Sequence, residues 1–244
     1  MSLDLAQEEL LDLQHPLRHL QQADDDGPII PHQPHSIRNE LSRIVFPHPH
    51  HVVEISLAVD ATPGCGGIAW PAGEVLSRYL VYKGPTYVQS KSILELGSGT
   101  GLVGLVAAKL GCPSVWITDQ APLLDIMNRN IHLNNLSESV KAVELNWGTP
   151  IPHPNDSPPN PDLILAADCV YFEPTFPLLV QTLSDLSTSS TEILFCYKKR
   201  RKADKRFFTL LKKQFTWEEV HDPERAIYTR EAISLLSLKK RNKA

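Results

Sequence analysis

The chain has 244 residues, of which 42% are hydrophobic and 21% are charged, and its formal net charge is −4. This length and composition are ordinary for a soluble globular protein with one good-sized core. The acidic balance argues against a general nucleic-acid binder, which is usually basic. No apolar run is long enough to cross a bilayer, and the start "MSLDLAQEEL" lacks the regions of a signal peptide. We therefore expect a cytoplasmic protein without a membrane partner, with entry into the nucleus as the alternative.

The first 50 residues are predicted to be a poorly ordered leader, and residues 51–244 to be one folded domain. The leader contains "DDDGPIIPHQPH", which mixes acids, prolines and histidines without periodicity. His48, His50 and His51 lie close together in "FPHPHH", but no further ligand clusters with them in the sequence. No metal site is therefore predicted.

The four cysteines form no C-x-x-C pair, so they indicate neither a zinc site nor a disulfide framework. This usage fits a reducing compartment. Cys112, Cys169 and Cys196 lie in or beside apolar runs, where a thiol is expected to be a small buried hydrophobe.

The segment "VVEISLAVD" (52–60) predicts a strand. "WPAGEVLSRYLVY" (70–82) predicts a helix that begins near Pro71, because the missing N–H of proline costs nothing in the first helical turn. From residue 92 onward, predicted strands and helices alternate. The strands are 92–96, 114–119, 140–145, 162–170 and 191–198, and the helices are 101–111, 121–135, 173–186 and 202–215. Repeated βα units predict a parallel sheet with right-handed crossovers and helices on both faces.

The end of the chain breaks this alternation. "TWEEVHD" (216–222) and "IYTREAISLLSLKK" (227–240) predict two strands with no helix between them, which should pair as an antiparallel hairpin. The predicted fold is therefore α/β, with a doubly wound seven-stranded, mostly parallel sheet and an antiparallel C-terminal hairpin. "TPIPHPNDSPPNP" (149–161) holds six prolines and predicts a surface loop.

The stretch "ILELGSGTG" (93–101) runs from a predicted strand through three glycines into a helix. In a doubly wound sheet, ligands bind at the carboxyl ends of the strands, and glycines let the main chain approach them. Asp119 follows Gly99 by twenty residues and ends the next predicted strand. Its carboxylate can accept hydrogen bonds from two ribose hydroxyls, although it could instead cap the helix that follows.

The glycines alone also fit NAD, because G-x-G-x-x-G begins at Gly99. Three features disfavour an NAD-dependent oxidoreductase. Glu95, at the end of the strand, would repel pyrophosphate but would suit a cofactor that carries an ammonium and a sulfonium. The chain leaves little room for a second nucleotide-binding half and a substrate domain. Asp168 and Tyr171 form a polar pair at the end of the fourth strand, beside the expected cleft.

"ELGSGTG" resembles motif I of the seven-β-strand methyltransferases, which use S-adenosylmethionine. "GIAWPAGEVLSRYL", "ITDQ", "ELNWG" and "AADCVYFEPTFPLLVQTL" together resemble the family-16 protein-lysine methyltransferases, the methyltransferase-like 21 group. The resemblance covers about residues 52–238 and implies a Rossmann-like methyltransferase fold with S-adenosylmethionine as cofactor. Within the group, the chain is most similar to fungal enzymes that methylate lysine in translation elongation factor 1-alpha, which implies that factor as the protein partner. A monomer is expected.

The resemblance also implies roles for cofactor-side residues, and each role has a plainer alternative. Asp119 would hold the ribose diol, and the main chain of Ala167 would lie against the cofactor. Trp147 would pack near the adenine or, alternatively, belong to the core. Trp70 would wall the pocket or merely join the helix after it to the sheet. The methionine end of the cofactor would be lined by Gly97, Ser98 and Gly99.

Asp168 and Tyr171 are the predicted substrate-side pair. A lysine has a free pKa near ~10.4 and must lose its proton before it accepts a methyl group. Asp168 would orient the incoming ammonium and Tyr171 would accept or cap one of its hydrogens. Alternatively, Asp168 caps the helix that begins at "EPTF". A non-catalytic member that binds a protein partner through the same sheet is a further alternative.

Two features bear on nucleic-acid substrates. Enzymes that methylate base nitrogens or glutamine amides often carry two prolines where this chain has Cys169 and Val170. The basic run "KKRRKADKR" (198–206) is expected to be a solvated helix face. No direct nucleic-acid partner is therefore predicted.

Overall fold

The computed structural model describes residues 23–24, 27–28, 39–62, 65–150, 160–200 and 204–241. Within these ranges, nine strands form a hairpin and a central sheet, and Ala23–Asp24 makes a separate pairing with Gly27–Pro28. The nine strands are β1 (Glu40–His48), β2 (His51–Val59), β3 (Ser92–Leu96), β4 (Ser114–Asp119), β5 (Val140–Glu144), β6 (Leu163–Ala167), β7 (Glu192–Lys198), β8 (Phe215–Glu219) and β9 (Ile233–Lys240). The α-helices are α1 (Pro71–Lys83), α2 (Pro85–Val88), α3 (Leu102–Lys109), α4 (Leu124–Leu133), α5 (Phe176–Leu186), α6 (Asp204–Leu211) and α7 (Arg225–Tyr228).

The central sheet has seven strands in the order β8-β9-β7-β6-β3-β4-β5. Strands β3 to β7 pair in parallel, β9 pairs antiparallel with both β7 and β8, and so one strand runs against the other six. The predicted fold class is confirmed. The chain moves outward from β3 to β5 and then returns to the other side of β3 as β6. This reversal places the ligand crevice of the fold at the carboxyl ends of β3 and its neighbours.

Helices cover both faces of the sheet, as expected for parallel strands with hydrophobic residues on both sides. Helices α1, α3 and α4 pack on one face together with the β1–β2 hairpin, where Leu76, Leu80 and Leu105 are fully buried. Helices α5 and α6 cover the other face, where the ring of Phe207 stacks on Phe195 at 5.3 Å between centroids. No helix in the described ranges has the length and apolar content needed to cross a membrane.

The β1–β2 hairpin places an ordered strand inside the predicted leader, so the folded region begins earlier than residue 51. Its inner side is buried because Phe46, Val53, Ile55 and Leu57 pack into the main core. Two asparagines of the α4 region tie the hairpin down. The Asn130 side chain accepts a hydrogen bond from the Ala58 N–H at 2.6 Å and donates to the carbonyls of Ala58 and Thr100 at 3.2 and 2.9 Å. The Asn134 side chain accepts from the Ser56 N–H at 3.0 Å and donates to the Ser56 carbonyl at 2.7 Å.

Two parts of the predicted leader and loop lie outside the described residues: most of residues 1–38 and the proline-rich stretch 151–159. The predicted strand 227–240 is wrong in its first part. Residues 225–231 form α7 and a 3-10 turn, and Ala232, with φ 59°, turns the chain into β9. A single helical turn is too short to show a periodic apolar pattern, so the sequence could not separate it from the strand.

Candidate active site

The glycine loop connects β3 to α3 at the carboxyl edge of the sheet. Gly97, Gly99 and Gly101 have φ angles of 61°, 56° and 83°, a left-handed conformation that side chains with a β-carbon rarely adopt. The loop is fixed to the adjacent strand β4 through Ser98, whose N–H donates to the Thr118 carbonyl at 2.9 Å and whose Oγ accepts from the Thr118 N–H at 2.8 Å. The hydroxyl of Ser98 is therefore occupied by the protein, and its carbonyl accepts from the Gly101 N–H at 2.7 Å.

A second glycine segment covers the loop. A β-carbon on Gly99 would lie 2.5 Å from the carbonyl oxygen of Gly66, so the two backbones approach each other too closely for any side chain. Gly66 belongs to the 3-10 turn Cys65–Gly67 that follows the hairpin. The sequence interpretation assigned "PGCGG" only to a chain reversal and missed this packing. The three glycines of "PGCGG" could have indicated it, because glycines are common where two backbones pack closely.

Glu95 lies beneath the loop. It is fully buried, and its Oε2 accepts a hydrogen bond from the Gly104 N–H in the first turn of α3 at 2.8 Å. Burial raises the pKa of Glu95 to about 8, and the nearby Asp119 acts in the same direction. Glu95 is therefore mostly protonated at neutral pH. A protonated Glu95 carries no charge and would not repel pyrophosphate, so this argument against NAD is lost. The short chain and the Asp168–Tyr171 pair still disfavour NAD.

Asp119 ends β4 and its carboxylate closes onto the glycine loop. Its Oδ2 accepts from the Gly99 N–H and its Oδ1 from the Gln120 N–H, both at 2.8 Å. Burial raises the pKa of this carboxyl, and the two backbone N–H groups oppose that shift. The 3-10 turn Ala121–Leu123 has no side-chain cap, so the capping alternative for Asp119 does not occur. Each carboxylate oxygen keeps a lone pair for a further donor.

Trp147 lies against the glycine loop. A β-carbon on Gly97 would be 3.0 Å from Trp147 Cζ2 and 3.0 Å from Cys169 Sγ. The indole is half-buried and packs partly on the core under α5, which agrees with the core alternative. Its place near an adenine stays a prediction. The contact at Gly97 brings the ends of β3, β5 and β6 together at one point. Cys112, Cys169 and Cys196 are buried free thiols, as predicted.

Trp70 stands immediately before α1. Its backbone is extended, with φ −101° and ψ 152°, and Pro71 is the first residue of the helix. The Trp70 carbonyl accepts hydrogen bonds from the N–H groups of Gly73 and Glu74 at 2.9 and 3.2 Å. Its half-buried ring lies beneath the guanidinium of Arg200, 5.6 Å from the ring centroid, within the range of a cation–π contact. Trp70 therefore connects α1 to the chain after β7.

Asp168 directly follows Ala167, the last residue of β6, and takes a left-handed φ of 56° that ends the strand. Its Oδ1 accepts hydrogen bonds from the Lys198 N–H at 3.1 Å and from Arg200 Nη1 at 2.9 Å. Its buried Oδ2 accepts none from the residues that the structure describes. The 3-10 turn at Glu173–Thr175 has no side-chain cap, so Asp168 is not the predicted alternative helix cap. Tyr171, three residues on, is half-buried.

Arg200 is another residue of the candidate site that sequence interpretation missed. The expectation of a solvated helix face for residues 198–206 is wrong for this side chain, which is buried against Asp168 before α6 begins. A second arginine of the run, Arg206, forms an ion pair with the buried Glu173 just after Tyr171. Both arginines thus neutralise carboxylates on the β6 side. Only the pairing of β7 with β6 reveals this, because residues after neighbouring parallel strands meet at one edge.

The comparisons with known proteins agree with this arrangement. The model of a family described as lysine methyltransferase matches residues 50–214. Protein-lysine N-methyltransferase EFM6 of Saccharomyces cerevisiae is 43% identical over 183 residues, covering 65% of this chain and 74% of the yeast protein. Protein N-lysine methyltransferase METTL21A of Danio rerio is 41% identical over 175 residues, covering 70% of this chain and 78% of its own.

A solved structure supports the fold alone. The T. thermophilus 16S rRNA N2 G1207 methyltransferase RsmC, determined in complex with AdoMet and guanosine, aligns with a TM-score of 0.56 at 16% identity over 82% of this chain and 51% of that chain. The family match and the relatives show the activity. They confirm the predictions of protein-lysine methyl transfer and of S-adenosylmethionine as cofactor. The chain belongs to the lysine methyltransferase family.

Proposed function

We propose that this chain is a cytoplasmic S-adenosylmethionine-dependent protein-lysine N-methyltransferase that acts on translation elongation factor 1-alpha. The family membership supplies the reaction class. The resemblance of the site motifs to fungal elongation factor 1-alpha methyltransferases and the 43% identity to the yeast protein-lysine N-methyltransferase EFM6 support the substrate. The cytoplasmic location follows from that substrate, which is a translation factor.

The observation that carries the proposal is the buried carboxylate of Asp168. Its Oδ1 is engaged by two donors, while its Oδ2 accepts no hydrogen bond from the described residues. A buried acceptor without a donor is costly, and a lysine ammonium is a strong donor that would relieve this cost. Asp168 also follows β6, directly beside the β3 strand that leads into the glycine loop. This adjacency supports delivery of a lysine to the place where the cofactor ends.

The residues around the glycine loop fit S-adenosylmethionine. The side-chain-free backbone at Gly97 and Gly99, with the main chain of Ser98, would hold the methionine end, and Asp119 would accept hydrogen bonds from the ribose hydroxyls. The half-buried Trp147 would pack near the adenine, and Trp70 and the main chain of Ala167 would complete the walls. When bound, the cofactor supplies a methyl group on a cationic sulfonium.

The protein's part in the chemistry is to position and desolvate the lysine. The amine must be neutral to act as a nucleophile, and its free pKa is near ~10.4. Burial beside a cation lowers that pKa, because both disfavour the charged form. Asp168 would orient the amine through Oδ2, and Tyr171 would wall the channel and hold one hydrogen. Alignment of this kind accounts for much of the rate, since reacting atoms must approach to about 3–3.5 Å.

The test uses the purified full chain, radiolabelled S-adenosylmethionine and elongation factor 1-alpha taken from cells that lack this protein. We expect label on a lysine, identified by mass spectrometry of the digested factor, and no label with the Asp168→Asn variant. Calorimetry should show binding of S-adenosylhomocysteine and no binding of NAD. Tight NAD binding without S-adenosylhomocysteine binding would restore the oxidoreductase alternative.

A folded chain that binds S-adenosylhomocysteine but labels no protein in a lysate from those cells would favour the non-catalytic, partner-binding alternative. Label on a different protein would keep the lysine methyltransferase activity and replace the proposed substrate.

A further inference from the structure

We propose that Arg200 is the positioning residue of the lysine site: it fixes the Asp168 carboxylate by one oxygen and offsets its charge, so that the lysine ammonium can release its proton to bulk water as it enters the site. The proposal rests on the proposed function of Asp168, and it adds a residue from the other side of the site. Arg200 lies after β7, in a stretch that neither the glycine motif nor the "AADCVY" motif includes.

The two charges form a buried ion pair. The side chains of Arg200 and Asp168 are 3% and 5% exposed, and Arg200 Nη1 lies 2.9 Å from Asp168 Oδ1. Taking two charges out of water is costly, and replacing such a pair with apolar residues is often neutral or stabilising. A buried pair at the carboxyl edge of the sheet is therefore better explained by a role in the site than by stability.

The pairing is one-sided. Arginine and carboxylate commonly meet through two parallel hydrogen bonds. Here Oδ1 receives both Arg200 and the Lys198 N–H, while Oδ2 and Arg200 Nε have no partner among the described residues. Arg200 thus holds the carboxylate in one orientation and leaves one oxygen for a third donor. That donor is the substrate ammonium in our proposal.

Arg200 is itself held from three directions. Its backbone N–H donates to Asp204 Oδ2 at 2.9 Å, its Nη1 donates to the Lys198 carbonyl at 3.4 Å, and its guanidinium lies over the Trp70 ring. These contacts come from the start of α6, the end of β7 and the residue before α1. A carboxylate clamped by such an anchor has little freedom to turn, which is the requirement for orienting a nucleophile.

The charge of Arg200 has a second consequence. A lone buried carboxylate would stabilise a lysine ammonium and keep its pKa high, which would oppose methyl transfer. Paired with Arg200, Asp168 can hold the lysine without favouring its charged form. Among the described residues, Arg200 and the backbone N–H of Lys198 donate to Asp168, and the thiols of Cys169 and Cys196 lie close enough to feel its charge. Asp204 accepts from the backbone N–H of Arg200 on the far side of the pair. Burial raises the pKa of the two thiols well above the ordinary range, so they stay neutral.

The experiment compares Arg200→Met and Arg200→Lys with Lys199→Met, an exposed neighbour in the same basic run. We expect Arg200→Met to bind S-adenosylhomocysteine within about 2-fold of wild type and to lose kcat by ~100-fold. The acidic limb of its kcat–pH profile should move to higher pH by about one unit. Arg200→Lys should recover part of kcat and the original pH profile, because it restores the charge without the planar fork. Lys199→Met should match wild type.

Two results would overturn the inference. The first is an Arg200→Met variant with wild-type kcat and pH profile. The second is a loss of S-adenosylhomocysteine affinity as large as the loss of kcat, which would make Arg200 a support of the cofactor pocket through Trp70.

A stability cycle decides the pairing without any substrate. Arg200→Met should lower the melting temperature, and adding Asp168→Asn should restore much of it, because the uncompensated buried carboxylate is then removed. Additive losses would contradict the pairing. If wild type methylates no lysine at all, the proposed function fails, whereas this cycle still tests the coupling of Arg200 to Asp168.

Discussion

Gly97 lies directly against Trp147: a β-carbon on this glycine would sit 3.0 Å from Cζ2 of the indole, and the same distance from Cys169 Sγ. The glycine loop and the chain after β5 therefore share one wall, at the edge of the sheet where β6 also ends. The contact leaves little room for a side chain at Gly97, and the φ of 61° would strain one in any case.

Gly97→Ala should therefore lose cofactor affinity. The added methyl group must displace Trp147 or the loop, and we expect the affinity for S-adenosylhomocysteine, measured by calorimetry, to fall by ~10-fold or more. Gly73→Ala is the matched control, because a β-carbon at Gly73 in α1 would meet only Val103 Cγ2 at 3.9 Å. That variant should bind normally and gain up to about 1 kcal/mol of stability from helix propensity. Equal binding by both variants would show that the Gly97 backbone does not line the cofactor site.

Asp119→Ala should weaken S-adenosylhomocysteine binding by about 1.5–3 kcal/mol, as expected when hydrogen bonds to a charged acceptor are lost. Asp125, exposed in the first turn of α4, offers a control on the same side of the fold, and Asp125→Ala should bind normally. Calorimetry at fixed salt gives both values. Unchanged affinity in the Asp119→Ala variant would mean that the wild-type carboxylate binds only the Gly99 and Gln120 N–H groups and no ribose hydroxyl.

Asp168→Ala should abolish methyl transfer, by at least ~100-fold in kcat, while S-adenosylhomocysteine binding persists. Tyr171→Phe should be milder, because the ring still walls the channel and only the hydroxyl is lost. Single-turnover transfer to elongation factor 1-alpha and calorimetry separate the two effects. Full turnover by Asp168→Ala would remove this residue from the substrate site.

Glu95 makes stability depend on pH. Its folded-state pKa of about 8 lies above the ordinary value of 4.5, so the folded state binds a proton more tightly than the unfolded state does. This contribution is fully present below pH 4.5 and is lost as the pH rises through about 8, with a total on the order of 5 kcal/mol.

Glu95→Gln keeps an acceptor for the Gly104 N–H and removes the titration. Urea unfolding from pH 5 to pH 9 should show wild type losing stability relative to this variant as the pH rises. Glu138→Gln, on an exposed turn, should keep a constant offset from wild type. A constant offset for Glu95→Gln as well would mean that Glu95 is ionised in the folded protein.

The predicted leader can be tested by two truncations that differ by one strand. Removal of residues 1–38 should leave cofactor binding intact, because that boundary spares β1. Removal of residues 1–50 should leave β2 without its paired strand and take the buried Phe46 out of the core, and should lower the melting temperature sharply. Circular dichroism and calorimetry distinguish the outcomes. Loss of binding from the shorter truncation, in a folded protein, would make residues 1–38 part of the site.

The sequence by itself determined the order of the sheet-forming segments, the glycine loop, and the positions of Asp119, Trp147 and Asp168 at strand ends. These are local signals: apolar runs of strand length, glycines where φ must be positive, and polar residues directly after buried strands. The family motifs combined the same signals into a reaction class.

Only the tertiary structure decided the rest. The hairpin strand Glu40–His48 is mostly exposed, so its pattern does not separate it from the leader, and its partner and the anchoring Asn130 identify it. Glu95 was expected to act as a charge towards the cofactor, but burial and the Gly104 N–H give it a structural role. Arg200 was hidden in a basic run, because its burial depends on β7 lying next to β6. The sequence shows that Arg200 is charged but not which residue it contacts. Its partner, Asp168, is decided by the pairing of β7 with β6, which brings together residues that are distant in the sequence.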